Sequence, residues 1–173
     1  MTQQVHWANN LVFYSHSVET APRNLTMLNN LGSEFVERGD AERATVVFQR
    51  VLARDPQHWF ANSNMGYLTY RQGRYLDAER YLGAAVDAQP TDADSFAHLG
   101  MTELQLNHLE AAQTHLERAL ALRPDGYGFH EALALVLAAR GDATGSRRQL
   151  QAELAQHPAN LHARKALEAL DKP

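Results

Sequence analysis

Apolar side chains recur along the chain at the three- and four-residue spacing of amphipathic helices. Leu28, Leu31 and Phe35 form one such stripe, and Ala44 and Phe48 begin a second. A stripe of this kind predicts a helix with one buried face, so the chain is predicted to consist of short helices. The polar triplet at 38–40 separates the two stripes and indicates a tight turn between a pair of helices.

The same pattern returns every 34 residues. The period is marked by a series of prolines at Pro22, Pro56, Pro90, Pro124 and Pro158. Each proline is expected to end a helix, because its ring removes a backbone N–H donor and disfavours helical backbone at the preceding residue. A fixed period over most of the chain predicts a repeat architecture.

Two columns of the repeat predict how the helices pack. The small column holds Gly32, Gly66, Gly100 and Ala134, and the large column holds Phe48, Leu82, Leu116 and Leu150. Small residues allow two helices to approach closely, and large ones fill the remaining groove. Because one helix pair cannot bury its apolar face alone, the pairs are expected to stack into a solenoid. The turns within pairs carry residues that tolerate left-handed backbone, Gly39, Gly73, Asn107 and Gly141.

These columns resemble the tetratricopeptide repeat, which has small residues at its eighth and twentieth positions, a large one at the twenty-fourth and proline at the thirty-second. The resemblance implies an all-α fold, a right-handed superhelical solenoid of antiparallel helix pairs with about ten helices. It predicts a single domain at 1–173, with a half repeat at 8–22, full repeats at 25–58, 59–92, 93–126 and 127–160, and a capping helix at 161–171. The array is expected to begin half way through a repeat.

The resemblance also implies that the first helix of each pair lines a concave groove for a peptide or a partner protein. The predicted groove residues are Asn29, Asn30, Ser33, Phe60, Ser63, Asn64, Tyr67, Tyr70, Arg71, His98 and Met101, together with Glu37, Ala97, Gln105, Glu131 and Leu135 at the remaining groove positions. Asn30 and Asn64 share a column, so their amides are predicted to hold a peptide backbone, similar to the asparagine ladder of O-linked N-acetylglucosamine transferase repeats. The alternative is that these amides are solvated or bond to neighbouring helices.

Phe60, Tyr67 and Tyr70 are predicted to form an aromatic patch beside Arg71, a combination that is common in protein contact hot spots. Core packing is the alternative, above all for Phe60. A basic clamp for the C-terminal carboxylate of a partner is not expected, because Asn29 stands where that clamp needs lysine.

Composition and charge argue against several other classes. The formal net charge of -4 offers no basic surface for nucleic acid, and the apolar stretch at 11–14 is too short for membrane insertion. The chain has no cysteine, and its nine histidines show no ligand spacing. We therefore predict no metal, no cofactor and no catalytic site, with a His98 and His130 zinc or pH-sensitive pair as the alternative.

The segment at 7–22 resembles the junction after the last transmembrane helix in polytopic, glycosyltransferase-like membrane proteins with C-terminal tetratricopeptide repeats. Two functions follow. The first is a free-standing scaffold in the cytoplasm, and the alternative is a periplasmic or other extracytoplasmic accessory domain that presents substrates or mediates assembly. Self-association is a further prediction, because an N-terminal helix without its partner would expose Leu11, Val12, Phe13 and Tyr14.

Overall fold

The computed structural model describes residues 2–20 and 24–170, and all regular secondary structure within them is helical. The ten helices are α1 (Thr2–Thr20), α2 (Leu25–Glu37), α3 (Ala41–Leu52), α4 (Trp59–Arg71), α5 (Tyr75–Ala88), α6 (Ala93–Gln105), α7 (Leu109–Leu122), α8 (Phe129–Ala139), α9 (Ala143–Gln156) and α10 (Leu161–Leu170). The predicted all-α fold of about ten helices is confirmed. Pro22 and residue 171 of the predicted capping helix lie outside the described residues.

A left-handed residue ends the first helix of each pair. The backbone angle φ is 74° at Gly39 and Gly73, 61° at Asn107 and 85° at Gly141. Asparagine is one of the few side chains that tolerate this conformation, so the substitution of Asn107 for glycine preserves the turn. Immediately afterwards Asp40 caps α3, because its carboxylate accepts a hydrogen bond from the backbone N–H of Arg43.

Within each pair the small column packs directly on the large column. A Cβ atom added to Gly32 would lie 2.6 Å from the Phe48 ring, and one added to Gly100 would lie 2.6 Å from Leu116 Cγ. Phe48 and Leu116 are fully buried. The close approach predicted from the small column is therefore confirmed.

The core follows the stack of helices rather than forming one centre. Its buried clusters surround Phe48 between α1 and α4, Leu116 between α5 and α8, and Leu150 between α8 and α10. Consecutive helices pack together, and the first helices of successive pairs also contact one another, α2 with α4, α4 with α6 and α6 with α8. Among the described residues, the second helices do not contact one another as extensively, so the first helices line the concave side.

Two helices begin away from their predicted positions. α1 begins at Thr2 rather than near residue 8, and α8 begins at Phe129, two residues after the start of the predicted repeat at 127. The late start of α8 follows from Gly128, which takes a left-handed φ of 78° before the first turn. None of the helices in the described ranges combines the length and the hydrophobicity that crossing a membrane requires.

Candidate functional site

The concave side holds two adjoining cavities. The α4–α6 cavity has a volume of about 350 Å³, and its lining includes Phe60, Ser63, Asn64, Tyr67, Asp92, Asp94 and His98. The α6–α8 cavity has a volume of about 330 Å³, and its lining includes Tyr70, Asp94, His98, Met101, Leu104, Tyr127, Phe129, Glu131 and Leu135. Asp94 and His98 line both cavities, so the two adjoin and are together called the groove. Each is large enough for a small ligand or a peptide side chain.

The structure divides the predicted aromatic patch between these cavities. Phe60 and Tyr67 line the α4–α6 cavity, whereas Tyr70 lines the α6–α8 cavity with its ring 5.6 Å from that of Tyr75. Burial raises the pKa of the Tyr70 hydroxyl, and the neighbouring Tyr75 raises it further, so the phenol stays neutral. Core packing, the alternative for Phe60, does not describe its position, because Phe60 is half-buried at a cavity wall.

Arg71, one of the predicted groove residues, lies outside the lining of the two cavities but contacts Tyr67. Its Nη1 donates a hydrogen bond of 2.8 Å to the Tyr67 hydroxyl, and both residues line a neighbouring cavity of about 230 Å³. The Tyr67 ring also lies 5.2 Å from the His98 ring, measured between centroids. Tyr67 therefore contacts both Arg71, which lies outside the two cavities, and His98, which lines both.

The two amides of the predicted asparagine ladder are not equivalent. Asn64 lines the α4–α6 cavity, and its Nδ2 donates a hydrogen bond of 2.9 Å to the Phe60 carbonyl of the same helix. Asn30 is half-buried and lies outside the lining of the two cavities. The ladder stays a prediction, in which the Asn64 oxygen is the group available to a peptide N–H.

The position of Asn29 corrects the prediction that it faces an open groove. Asn29 is 6% exposed, and its Nδ2 lies 2.9 Å from the Nε2 atom of His58, the residue that caps the start of α4. The Ser33 hydroxyl is likewise used locally, since it donates to the Asn29 carbonyl at 3.1 Å. The Nδ2 group of Asn29 is therefore bonded to the cap residue of α4, whereas its Oδ1 atom is buried without a hydrogen-bond partner among the described residues.

His98 stands at the centre of the groove. Burial lowers the pKa of its imidazole, against an opposite effect of the nearby Asp94 and Asp92 carboxylates, so the ring is neutral at neutral pH. Its Nδ1 atom is buried and has no hydrogen-bond partner among the described residues. A neutral imidazole has one donor and one acceptor nitrogen, so His98 can bond to either group of a peptide backbone.

The alternative histidine pair gains no support from the geometry. The Nδ1 atom of His130 lies 2.6 Å from Gln149 Oε1 on α9, so this ring is already engaged. Residues 2–20 and 24–170 contain no group of three or more histidine and acidic side chains that could hold a metal ion.

Sequence reasoning missed the acidic and aromatic residues at the helix starts. Asp92 caps α6 by accepting from the Ser95 backbone N–H at 3.1 Å, and Asp94 pairs with Arg123 through Oδ2 and Nη1 at 3.0 Å. The hydrogen bond that Arg123 donates to Asp94 raises the pKa of Arg123. Its guanidinium also lies 4.8 Å from the centroid of the Phe129 ring. The cap signal of Asp92 was readable in the sequence, but the ion pair across repeats was not.

Comparisons with known proteins identify the repeat. A family model described as tetratricopeptide repeat matches residues 29–94 and 98–160, which together exceed half of the chain. A tetratricopeptide repeat-containing protein of Pseudomonas aeruginosa is 36% identical over 83 residues, 46% of this chain and 13% of that protein. The human aspartyl/asparaginyl beta-hydroxylase is 24% identical over 109 residues, 61% of this chain and 14% of the hydroxylase. The chain thus spans a small part of both relatives.

A solved structure supports the same fold. YrrB, a tetratricopeptide repeat protein with an unusual peptide-binding site, superposes with a TM-score of 0.77 at 16% identity, over 96% of this chain and 86% of that chain. At this identity the likeness shows the fold alone. Neither relative is a membrane glycosyltransferase, so the predicted likeness of residues 7–22 gains no support from them.

Proposed function

The chain belongs to the tetratricopeptide repeat family, and we propose that it is a scaffold that binds a partner protein or peptide in its concave groove. The observation that carries the proposal is the pair of adjoining α4–α6 and α6–α8 cavities, which share His98 in their linings. Solvent-facing grooves of this size with aromatic walls and a few polar groups are typical of ligand sites. The peptide-binding site of YrrB supports the proposal.

The groove residues offer two kinds of contact: apolar contacts to partner side chains, and hydrogen bonds to the partner backbone. Phe60, Tyr67 and Met101 offer apolar surface for partner side chains. Asn64, which lines the α4–α6 cavity, offers its Oδ1 atom for the peptide backbone, and His98 contributes a neutral ring to the walls of both cavities. We expect a partner held in this way to be an extended peptide, because an extended chain can present its backbone to Asn64 and its side chains to the apolar surface.

The proposal is tested by selecting binders from a library of random twelve-residue peptides with the purified chain. We expect the double variant Asn64→Ala, Tyr67→Ala to bind the selected peptides at least about tenfold more weakly, since it removes a hot-spot aromatic and a backbone contact. Leu76→Ala is the matched control, because Leu76 is 71% exposed on the second helix α5. Unchanged affinity in the double variant, or an equal loss in the control, would contradict groove binding.

We propose further that residues 1–173 act as one domain with the repeat limits predicted above, and that it has no catalytic site of its own. The match to the human hydroxylase covers only 14% of that enzyme, so it gives no reason to transfer the hydroxylase activity. Substrate turnover by the purified chain would contradict this part of the proposal.

The accessory role beside a membrane glycosyltransferase remains the alternative function. It rests on the resemblance at residues 7–22, and the full encoded protein decides it. Hydrophobic spans upstream of this segment would support the alternative, and a natural start at Met1 would exclude it.

Self-association through α1 is a second candidate, and the exposed side chains of that helix favour it. Val12 is 69% exposed and Phe13 is 58% exposed, whereas Leu11 and Tyr14 pack against the first core cluster. Exposed apolar pairs of this kind are often covered by association. Light scattering during size-exclusion chromatography tests it, and a monomer at high concentration would contradict it.

A further inference from the structure

Glu131 is a carboxylate in the wall of the α6–α8 cavity that has no cationic partner among residues 2–20 and 24–170. Its Oε2 atom accepts a hydrogen bond of 2.8 Å from Asn160 Nδ2, which is a neutral donor. The same Asn160 nitrogen lies 3.0 Å from Oε1 of the fully buried Glu153. Within the described part of the chain, neither carboxylate forms an ion pair. A half-buried charge without a counter-ion is unfavourable, and a ligand cation would relieve that cost.

The remaining wall of the cavity is mostly apolar. Met101, Leu104 and Phe129 belong to its lining. Leu135 and Tyr127 also belong to it and are 46% and 67% exposed. No lysine or arginine of the described part of the chain belongs to this lining. Asp94, its other carboxylate, is already paired with Arg123, so Glu131 is the unpaired charge.

The backbone before α8 places Tyr127 and Gly128 in the wall of the α6–α8 cavity. Gly128 delays the start of α8, and its N–H donates a hydrogen bond of 2.9 Å to Glu153 Oε1. Tyr127, which would be the first helical residue by analogy with Trp59 and Ala93, instead lies outside the helix at the cavity. The fourth repeat therefore departs from the pattern at the cavity that contains the uncompensated charge.

We infer that the α6–α8 cavity binds a basic side chain, arginine or lysine, of the partner peptide. The methylene groups of that side chain pack on Met101 and Leu135, and its cationic head pairs with Glu131. Long basic side chains bury their stems on apolar surfaces in this way while the charge meets a polar rim. Asn160 is a positioning residue that fixes the Glu131 carboxylate. This inference rests on the proposed function and names the class of its partner.

Peptides selected from the random library provide the test. We expect an arginine or lysine at one fixed position, and replacement of that arginine by neutral citrulline should lower the affinity for the unmodified protein about tenfold. The substitution Glu131→Gln should cause a similar loss for the arginine peptide and leave the citrulline peptide nearly unchanged. The loss should also shrink as salt concentration rises.

The matched control is Glu37→Gln, which removes the same charge from an exposed position on α2 outside both cavities. It should leave the preference for arginine over citrulline intact. Selected peptides that lack a basic residue, or that bind equally with arginine and citrulline, would overturn this inference while the scaffold function stands. A library without any binder would contradict the scaffold function and this inference together.

Discussion

Neighbouring positions on the first helices behave in opposite ways across the four repeats. One position faces the second helix of its own pair and stays small, as Gly32, Gly66, Gly100 and Ala134. The next position changes its chemistry in every repeat, as Ser33, Tyr67, Met101 and Leu135. The first face packs against the large column in each repeat, whereas Tyr67, Met101 and Leu135 of the second face line the cavities. The repeated face therefore specifies the fold, and under the proposed function the varied face distinguishes the partner.

The largest expected difference in stability between the two faces is that between variants of two leucines. Leu116→Ala should lower the free energy of unfolding by about 2–5 kcal/mol, because Leu116 is fully buried under Gly100 and its removal leaves a cavity. Leu135→Ala should cost less than about 1 kcal/mol, since Leu135 is 46% exposed on the concave face. Urea unfolding of both variants measures the comparison. Equal losses would show that the two faces do not differ as described.

A second test uses two glycines inside helices. Gly100→Ala should destabilise the chain by about 1–2 kcal/mol, because the new methyl group would lie 2.6 Å from Leu116 Cγ and 2.9 Å from the Ala112 carbonyl. Gly83→Ala should instead stabilise it by up to about 1 kcal/mol, since no heavy atom lies within 4 Å of its added Cβ. Thermal and urea unfolding measure both. A stabilising Gly100→Ala would contradict the role assigned to the small column.

The smallest expected effect comes from the titratable residue of the concave face. Because burial lowers the pKa of His98 below its ordinary value of 6.5, the unfolded chain takes up this proton first as the pH falls. The contribution to stability is present above pH 6.5 and is lost as the pH falls through the folded pKa. In His98→Gln the stability should therefore decline less between pH 7 and pH 5 than in the unmodified protein. Parallel pH profiles would contradict the burial of a neutral ring.

Most of the fold could be predicted because it depends on packing and turn positions that recur in the sequence every 34 residues. The small column, the large column and the left-handed turns each express one local requirement, so even the substitution at Asn107 was predictable from its backbone conformation. The early start of α1 at Thr2 was not, because its segment lacks the repeated columns that set the other helix starts.

The position of a candidate site residue was predictable only where it depends on the geometry of a single helix. Tyr67, His98 and Met101 face the groove because helix geometry places them there. Asn29 does not, because it bonds to His58, a residue 29 positions later whose proximity depends on the stacking of repeats. The start of α8 likewise involves a residue distant in sequence, because the Gly128 N–H donates a hydrogen bond to the buried Glu153.

Methyl NMR with a peptide selected from the library tests the central claim most directly. The methyl groups of Met101, Ala132 and Leu135 report on the α6–α8 cavity, whereas Val46 and Leu76 are exposed on second helices. Groove binding predicts saturable shift changes at the first three and none at the last two. Shift changes at Val46 and Leu76, with Met101 and Leu135 unaffected, would contradict the claim and place the working surface on the opposite face.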